Sequence, residues 1–150
     1  MLTVTSPLAG RVVALESVSD PVFAEAMVGP GLAVMPPAGT AVAVAPLDGT
    51  LVSLHPHAFV VVAKDGRAVL VHLGVDTVQL NGEGFEPLLR KGDTVRRGDG
   101  VVRWDPGVVE ASGRPTVCPV VALEAMVDAL TGFPADDGVV AAGDRLFHWE

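Results

Sequence analysis

Apolar residues recur along this chain in short runs that alternate with polar positions or stop at Gly and Pro. That is the period-2 signature of β-strands. Leu2–Thr5, Gly10–Leu15, Gly31–Met35, Thr40–Val44, Gly49–Leu54 and Ala58–Ala63 read as strands. Lys64-Asp65-Gly66-Arg67 reads as a hairpin turn centred on Asp-Gly, so Ala68–Leu73 should run antiparallel to Ala58–Ala63. Further strands are expected near Thr94–Val95, Gly100–Trp104, Thr116–Val121 and Arg145–Trp149. One short helix is expected at Pro21–Met27, with Asp20 as N-cap and Pro21 at the first helical position. An amphipathic second is expected at Leu123–Leu130. The class implied is all-β: an antiparallel β-sandwich or distorted barrel with one or two short helices.

An internal echo refines this. Ser6-Pro7-Leu8-Ala9-Gly10-Arg11-Val12-Val13 resembles Ala45-Pro46-Leu47-Asp48-Gly49-Thr50-Leu51-Val52. In each copy Pro opens an element where its missing N–H does no harm, and Gly permits a bend before apolar residues resume. A duplicated hairpin element is the simplest reading. The same pattern occurs in biotin and lipoyl carrier domains, and so does the style of Arg90-Lys91-Gly92-Asp93-Thr94-Val95-Arg96-Arg97-Gly98-Asp99.

Composition narrows the function classes. A length of 150 residues fits one domain, spanning 1–150. The net charge of -8 argues against nucleic acid, which demands a basic stripe, and permits a basic protein partner. One cysteine, Cys118, cannot staple the chain internally and suits a reducing compartment. Its strand-like surroundings read it as a small buried apolar residue. No basic region followed by an apolar run opens the chain. The apolar stretch Val34–Leu47 is broken by Pro36, Pro37, Gly39 and Pro46, so direct membrane insertion is not expected. The expected location is cytoplasmic.

The chemistry lies with the histidines. Within Val69-Leu70-Val71-His72-Leu73-Gly74-Val75-Asp76, His72 takes a place on a strand face where apolar residues are the rule. It is either a satisfied core histidine or a reactive one at a site's edge. His57, in His55-Pro56-His57-Ala58-Phe59, favours the second reading. If Lys64 pairs with Arg67 across the turn, Phe59 lies opposite His72 and His57 opposite Gly74. His57 and His72 are then diagonal neighbours on one face, about 7–8 Å apart at Cα, and a phosphate fits between their rings. Imidazole titrates near neutrality and offers one nucleophilic nitrogen when neutral. A second donor nearby would stabilise a transferring phosphoryl group. His148 reads as an edge or surface residue, and no Gly-rich phosphate loop or paired metal-binding cysteines occur, so no cofactor is expected.

The segment Gly66 to Phe85, including His72-Leu73-Gly74-Val75-Asp76-Thr77-Val78-Gln79-Leu80-Asn81-Gly82, resembles the phosphorylation-site segment of one family. That family is the glucose-type (glucose/N-acetylglucosamine) IIA component of the bacterial phosphoenolpyruvate-dependent sugar phosphotransferase system. Asp20–Gly31, Ala45–Thr50, His57–Phe59 and Lys91–Val95 extend the likeness in order along nearly the whole chain. The resemblance implies that His72 accepts phosphate on Nε2 from the carrier HPr and gives it to a cysteine of a IIB domain. It implies that His57 donates a hydrogen bond to the phosphoryl group. It further implies that Asp20 and Asp76 meet basic partner residues, and that Val22, Leu70 and Val78 border a docking recess. The family usually has Thr where this chain has His55, which leaves open what orients His57. The chemistry needs no metal, although His57 and His72 could share a zinc ion.

Rival readings fare worse. A biotin or lipoyl carrier needs a Lys at its modification site, and Glu124-Ala125-Met126 is followed here by Val127. A zinc hydrolase with a related fold would carry its His-to-Asp pair before its spaced His pair, the reverse of the order here. A non-transferring regulatory relative would have no need of both His57 and His72, while a zinc-binding relative of the same fold stays as the alternative. The sequence leaves the sugar open.

Overall fold

A computed structural model describes residues 1–150, and every paired strand in it is antiparallel. The strands, in chain order, begin with β1 (Leu2–Thr5), β2 (Gly10–Ala14), β3 (Gly31–Met35), β4 (Ala41–Val44) and β5 (Gly49–His55). Then come β6 (Ala58–Val62), β7 (Ala68–His72), β8 (Phe85–Pro87), β9 (Thr94–Val95) and β10 (Gly100–Trp104). The last are β11 (Cys118–Ala122), β12 (Leu130–Thr131), β13 (Val139–Val140) and β14 (Arg145–Trp149). They form an eight-stranded sheet, ordered β13-β2-β3-β11-β7-β6-β5-β9, and two three-stranded sheets, β1-β14-β12 and β4-β10-β8. No helix is long and apolar enough to cross a membrane.

The large sheet is covered on both faces, which explains why its central strands read as unbroken apolar runs. Inward, Val12, Val34, Cys118, Val120, Val69 and Val71 join a main core that includes Trp104, Phe59 and Phe147. Outward, Ala33 and Val121 join a smaller cluster with Leu15, Val18, Phe23, Val75 and Val117. The cover is therefore supplied by the segment between β2 and β3. Each fully buried large apolar side chain contributes roughly 1.5–3 kcal/mol. The Arg103–Glu86 pair, with both side chains more than half exposed, belongs to a class contributing about 0–1 kcal/mol. Apolar burial, not ion pairing, holds the sheets together.

The sequence echo is a structural two-fold. Thr5 N–H donates to the Pro46 carbonyl and, reciprocally, Val44 N–H donates to the Pro7 carbonyl, each at 2.9 Å. Ser6 then bonds Asp144 and Gly143 through its N–H and carbonyl, just as Ala45 bonds Asp99 and Gly98. Asp144 and Asp99 each close their own turn by accepting from the backbone N–H three residues earlier. Gly10 and Gly49 are the matching strand starts, each lying tight against the backbone of the neighbouring strand in the same sheet. A Cβ at Gly10 would lie 2.3 Å from the Met35 carbonyl oxygen, and one at Gly49 would lie 2.1 Å from that of Val62.

The helices differ in part from expectation. Asp20 caps the first, accepting from Val22 N–H at 2.9 Å, but α1 covers only Pro21–Ala24. It stops because Ala26 adopts a left-handed conformation (φ 52°) that turns the chain toward β3. The second helix is not at Leu123–Leu130. There the N–H groups of Leu123 and Glu124 are taken by the carbonyls of Ala68 and Val28, and only a short 3-10 turn remains at Val127–Ala129. The true second helix, α2 (Pro106–Ala111), repeats the Asp-Pro start: Asp105 accepts from Gly107 N–H at 2.9 Å. The two-residue strands β12 and β13 and the short β8 carry too few residues for a periodic pattern to be visible.

The close approach at Gly49 is testable. Gly49→Ala should destabilise the protein by about 1–3 kcal/mol, because the intruding methyl meets backbone that cannot move aside. Urea unfolding of the variant against the wild type measures this.

Candidate functional site

His72 ends β7, and the loop after it is built to hold its ring. Gly74 has φ +79°, and a Cβ there would lie 2.7 Å from Thr77 Cγ2 and 2.9 Å from the Pro115 carbonyl oxygen. Only glycine lets the chain reverse at this point. The Thr77 hydroxyl donates to the Leu73 carbonyl at 2.7 Å and fixes the loop from beneath. The reversal turns the Gly74 carbonyl back onto His72 Nδ1, 2.5 Å away. A carbonyl can only accept, so Nδ1 carries the proton and Nε2 keeps its lone pair.

Register with the neighbouring strand differs from the sequence expectation. Ala58, not Phe59, lies opposite His72, and His57 lies beside Leu73, whose N–H donates to the His57 carbonyl at 2.7 Å. The reason is the turn. Ala63 pairs with Arg67 around a three-residue loop, Lys64-Asp65-Gly66, with Gly66 at φ +95°. Asp65 stabilises this longer loop by accepting from Arg67 N–H at 3.0 Å and from its guanidinium. A slip of one residue would ordinarily send His57 to the opposite face. It does not, because His57 lies outside the pleat. His55 pairs with Ala58, so Pro56 and His57 form the turn between β5 and β6, where strand alternation no longer applies.

The two rings therefore still meet. The centroids of His57 and His72 are 5.2 Å apart, edge to face at 73°. On the other side of His72 lies Phe23 of α1, also at 5.2 Å. Beyond His57 lies His55, at 5.8 Å and tilted by 35°. The result is one row: Phe23, His72, His57, His55. Sequence reasoning assigned no site role to Phe23 and left His55 unresolved. The signal for Phe23 was its place one turn after Asp20, which becomes informative only when α1 is known to fold over β7.

Both site imidazoles are driven toward the neutral form. Burial lowers the pKa of His72, against opposing contributions from the Gly74 carbonyl and the carboxylates of Asp20 and Asp76. Burial likewise depresses His57, to about 4, helped by the repulsion of its neighbours His72 and His55. Asp20 and Asp76 thus lie close enough to His72 for their charge to be felt. Asp76 holds a left-handed conformation (φ 60°) ahead of the 3-10 turn Thr77–Leu80 and makes no capping bond, so its carboxylate is free. Val22 and Val78, 40% and 60% exposed, stand as apolar residues beside Asp20 and after Asp76. Leu70 is half-buried on the outer cluster, two residues before His72 on β7. Cys118 is fully buried beneath the loop, its thiol pushed up to about 12 by burial, and it is inert.

His57 and His72 offer two imidazoles to a metal, and no group of three or more His, Cys, Asp or Glu side chains is placed to hold one. Zinc sites need three or four ligands, so the pair does not make one alone. What the arrangement suits is phosphoryl chemistry: a nucleophilic nitrogen with its tautomer fixed, a second imidazole beside it, and a partly apolar rim carrying two carboxylates.

Comparison with known proteins agrees. A family model described as phosphoenolpyruvate-dependent sugar phosphotransferase system, EIIA 1, matches residues 2–127. A glucose-specific EIIA component from Oceanobacillus iheyensis is 38% identical over 120 residues, covering 80% of this chain and 73% of that protein. A beta-glucoside-specific EIIBCA component from Dickeya chrysanthemi is 43% identical over 119 residues, covering 79% of this chain and 19% of that much longer protein. Among solved structures, the glucose permease IIA from Mycoplasma capricolum matches with a TM-score of 0.88 and 33% identity, covering 97% of this chain and 94% of that one. This chain therefore belongs to the EIIA 1 family of the phosphoenolpyruvate-dependent sugar phosphotransferase system, a phosphotransferase component that carries phosphate in sugar uptake.

Proposed function

We propose that His72 is the phosphoryl carrier, loaded by the phosphohistidine of HPr and discharged to a cysteine of a IIB domain. The observation that carries this reading is the bond from His72 Nδ1–H to the Gly74 carbonyl, with a second imidazole 5.2 Å away. Nε2 attacks the phosphorus of the donor as the donor's own P–N bond breaks. Nδ1 keeps its proton, so the phosphorylated ring is cationic and offsets part of the phosphoryl charge. In the second step the P–Nε2 bond breaks, a P–S bond forms on the acceptor thiolate, and His72 returns to its neutral tautomer. No oxidant, metal or cofactor is needed for either step. His57 donates a hydrogen bond to the phosphoryl oxygens as charge redistributes, the role of a preorganised donor.

Recognition depends on the rim. Asp20 and Asp76 attract basic partner residues, and Val22 and Val78 supply apolar contact, with Leu70 supporting His72 from the outer cluster. Both partners use the same face in turn, so the interface must be transient and small. The 150 residues act as one phosphocarrier domain in the cytoplasm, where both partner classes reside. Relatives in which an EIIA segment is joined to EIIB and EIIC in one chain support the IIB assignment.

His72→Gln should accept no phosphate from phosphoenolpyruvate, enzyme I and HPr, read as intact mass under alkaline conditions. His57→Gln should accept one phosphate and pass it to IIB about a hundredfold more slowly or worse. Normal onward transfer by His57→Gln would remove the role given to His57. Acidity offers a second check. The folded pKa of His57 is about 4 against an ordinary 6.5, so below pH 6.5 the unfolded chain binds a proton that the folded chain refuses. Stability from this group is complete above 6.5 and declines as pH falls toward 4. The urea midpoint should therefore drop between about pH 6.5 and 5, and drop less in His57→Gln.

A further inference from the structure

The row of rings contains an asymmetry. His72 is held three ways: by its strand, by the Gly74 carbonyl at 2.5 Å and by Phe23 at 5.2 Å. His57 has none of these supports. It sits in a turn, and neither of its ring nitrogens bonds any group of the protein. Its ring is half-buried, and its aromatic neighbours are His72 on one side and His55 on the other. A donor that must meet a phosphoryl oxygen needs its ring plane fixed, since small misplacements cost large factors in rate. His72 cannot do the fixing, because the phosphoryl group arrives between the two rings.

His55 can. It is the last residue of β5, and its backbone is locked by pairing with Ala58 across the turn. Its ring, exposed on its outer side, stands 5.8 Å from that of His57 and is tilted by 35°, within the separation at which aromatic rings attract. Pro56, between them, restricts the turn backbone, and Gly82 of the adjoining loop abuts the proline ring: a Cβ there would be 3.6 Å from Pro56 Cγ.

We infer that His55 is a positioning residue, a strand-anchored aromatic wall that orients the His57 ring by tilted ring–ring packing so that His57 can donate to the phosphoryl group on His72. This rests on the phosphocarrier role proposed for His72. The wall touches neither the phosphoryl group nor the reacting nitrogen, and any flat aromatic ring of similar size serves.

The test compares wild type, His55→Ala and His55→Phe in the full chain. Each is loaded by phosphoenolpyruvate, enzyme I and HPr, and transfer to IIB is followed across IIB concentrations. In parallel, the 1H–13C ring resonances of His57 are recorded and assigned by their loss in His57→Gln. His55→Ala should accept phosphate normally. It should lose roughly threefold to tenfold in kcat for onward transfer with KM unchanged, and its His57 ring resonances should lose their ring-current shift. His55→Phe should restore both. Wild-type transfer by His55→Ala would overturn the inference, as would a His55→Phe protein as impaired as His55→Ala, because charge rather than ring packing would then be at work. If the wild type takes no phosphate, the carrier reading fails instead. The ring-current comparison still decides the ring packing, since an unchanged His57 resonance in His55→Ala rejects it.

Discussion

The large sheet must be covered on both faces, and that constraint organises the molecule. β3, β11 and β7 carry apolar residues inward and outward, so the outer face would expose Ala33, Val121 and Leu70 to water unless something lay across it. The segment from Leu15 through α1 supplies that cover, with Phe23 as its largest buried ring. The consequence is functional as well as structural. The cover brings Phe23 against His72 and places Asp20 and Val22 at the same edge. Packing demand and the assembly of the His72 side of the site are met by the same few residues.

The electrostatics are economical. A phosphoryl carrier needs a neutral nucleophile that gains positive charge when loaded. Burial drives His72 toward neutrality, while Asp20, Asp76 and the Gly74 carbonyl favour its cation. Burial outweighs them, so the neutral ring is favoured. His57 is pushed down to about 4, chiefly by burial and then by the repulsion of two neighbouring imidazoles. Two identical side chains thus feel different surroundings through burial and neighbours alone.

The two-fold built on the turns at Pro7 and Pro46 makes a rigid base far from this chemistry. Its reciprocal backbone bonds pair the matching polar groups of both turns. Gly10 and Gly49 allow neighbouring strands to approach at backbone distance.

Much of this was legible in the residues themselves. The alternation of apolar and polar positions located most of the strands, the Pro-Leu-x-Gly echo announced the duplication, and Asp20-Pro21 marked α1. His72-Leu73-Gly74-Val75-Asp76 pointed to a candidate site through the resemblance it carries and through the turn expected after His72, which is set within a few residues. The pairing register was not legible, since Asp65-Gly66 fits a two-residue and a three-residue loop alike, and Asp65's bonds to Arg67 decided between them. Nor was the fate of Leu123–Leu130, whose N–H groups found carbonyls on β7 and beside β3 before they could find each other. The ring row was also hidden: Phe23, His72, His57 and His55 come from three separate stretches. Residue order alone settles which side chains offer a nucleophilic nitrogen and which peptide units can turn. Which rings meet, and which become neutral, is settled only in the folded molecule, because contact and burial depend on residues far apart in the chain.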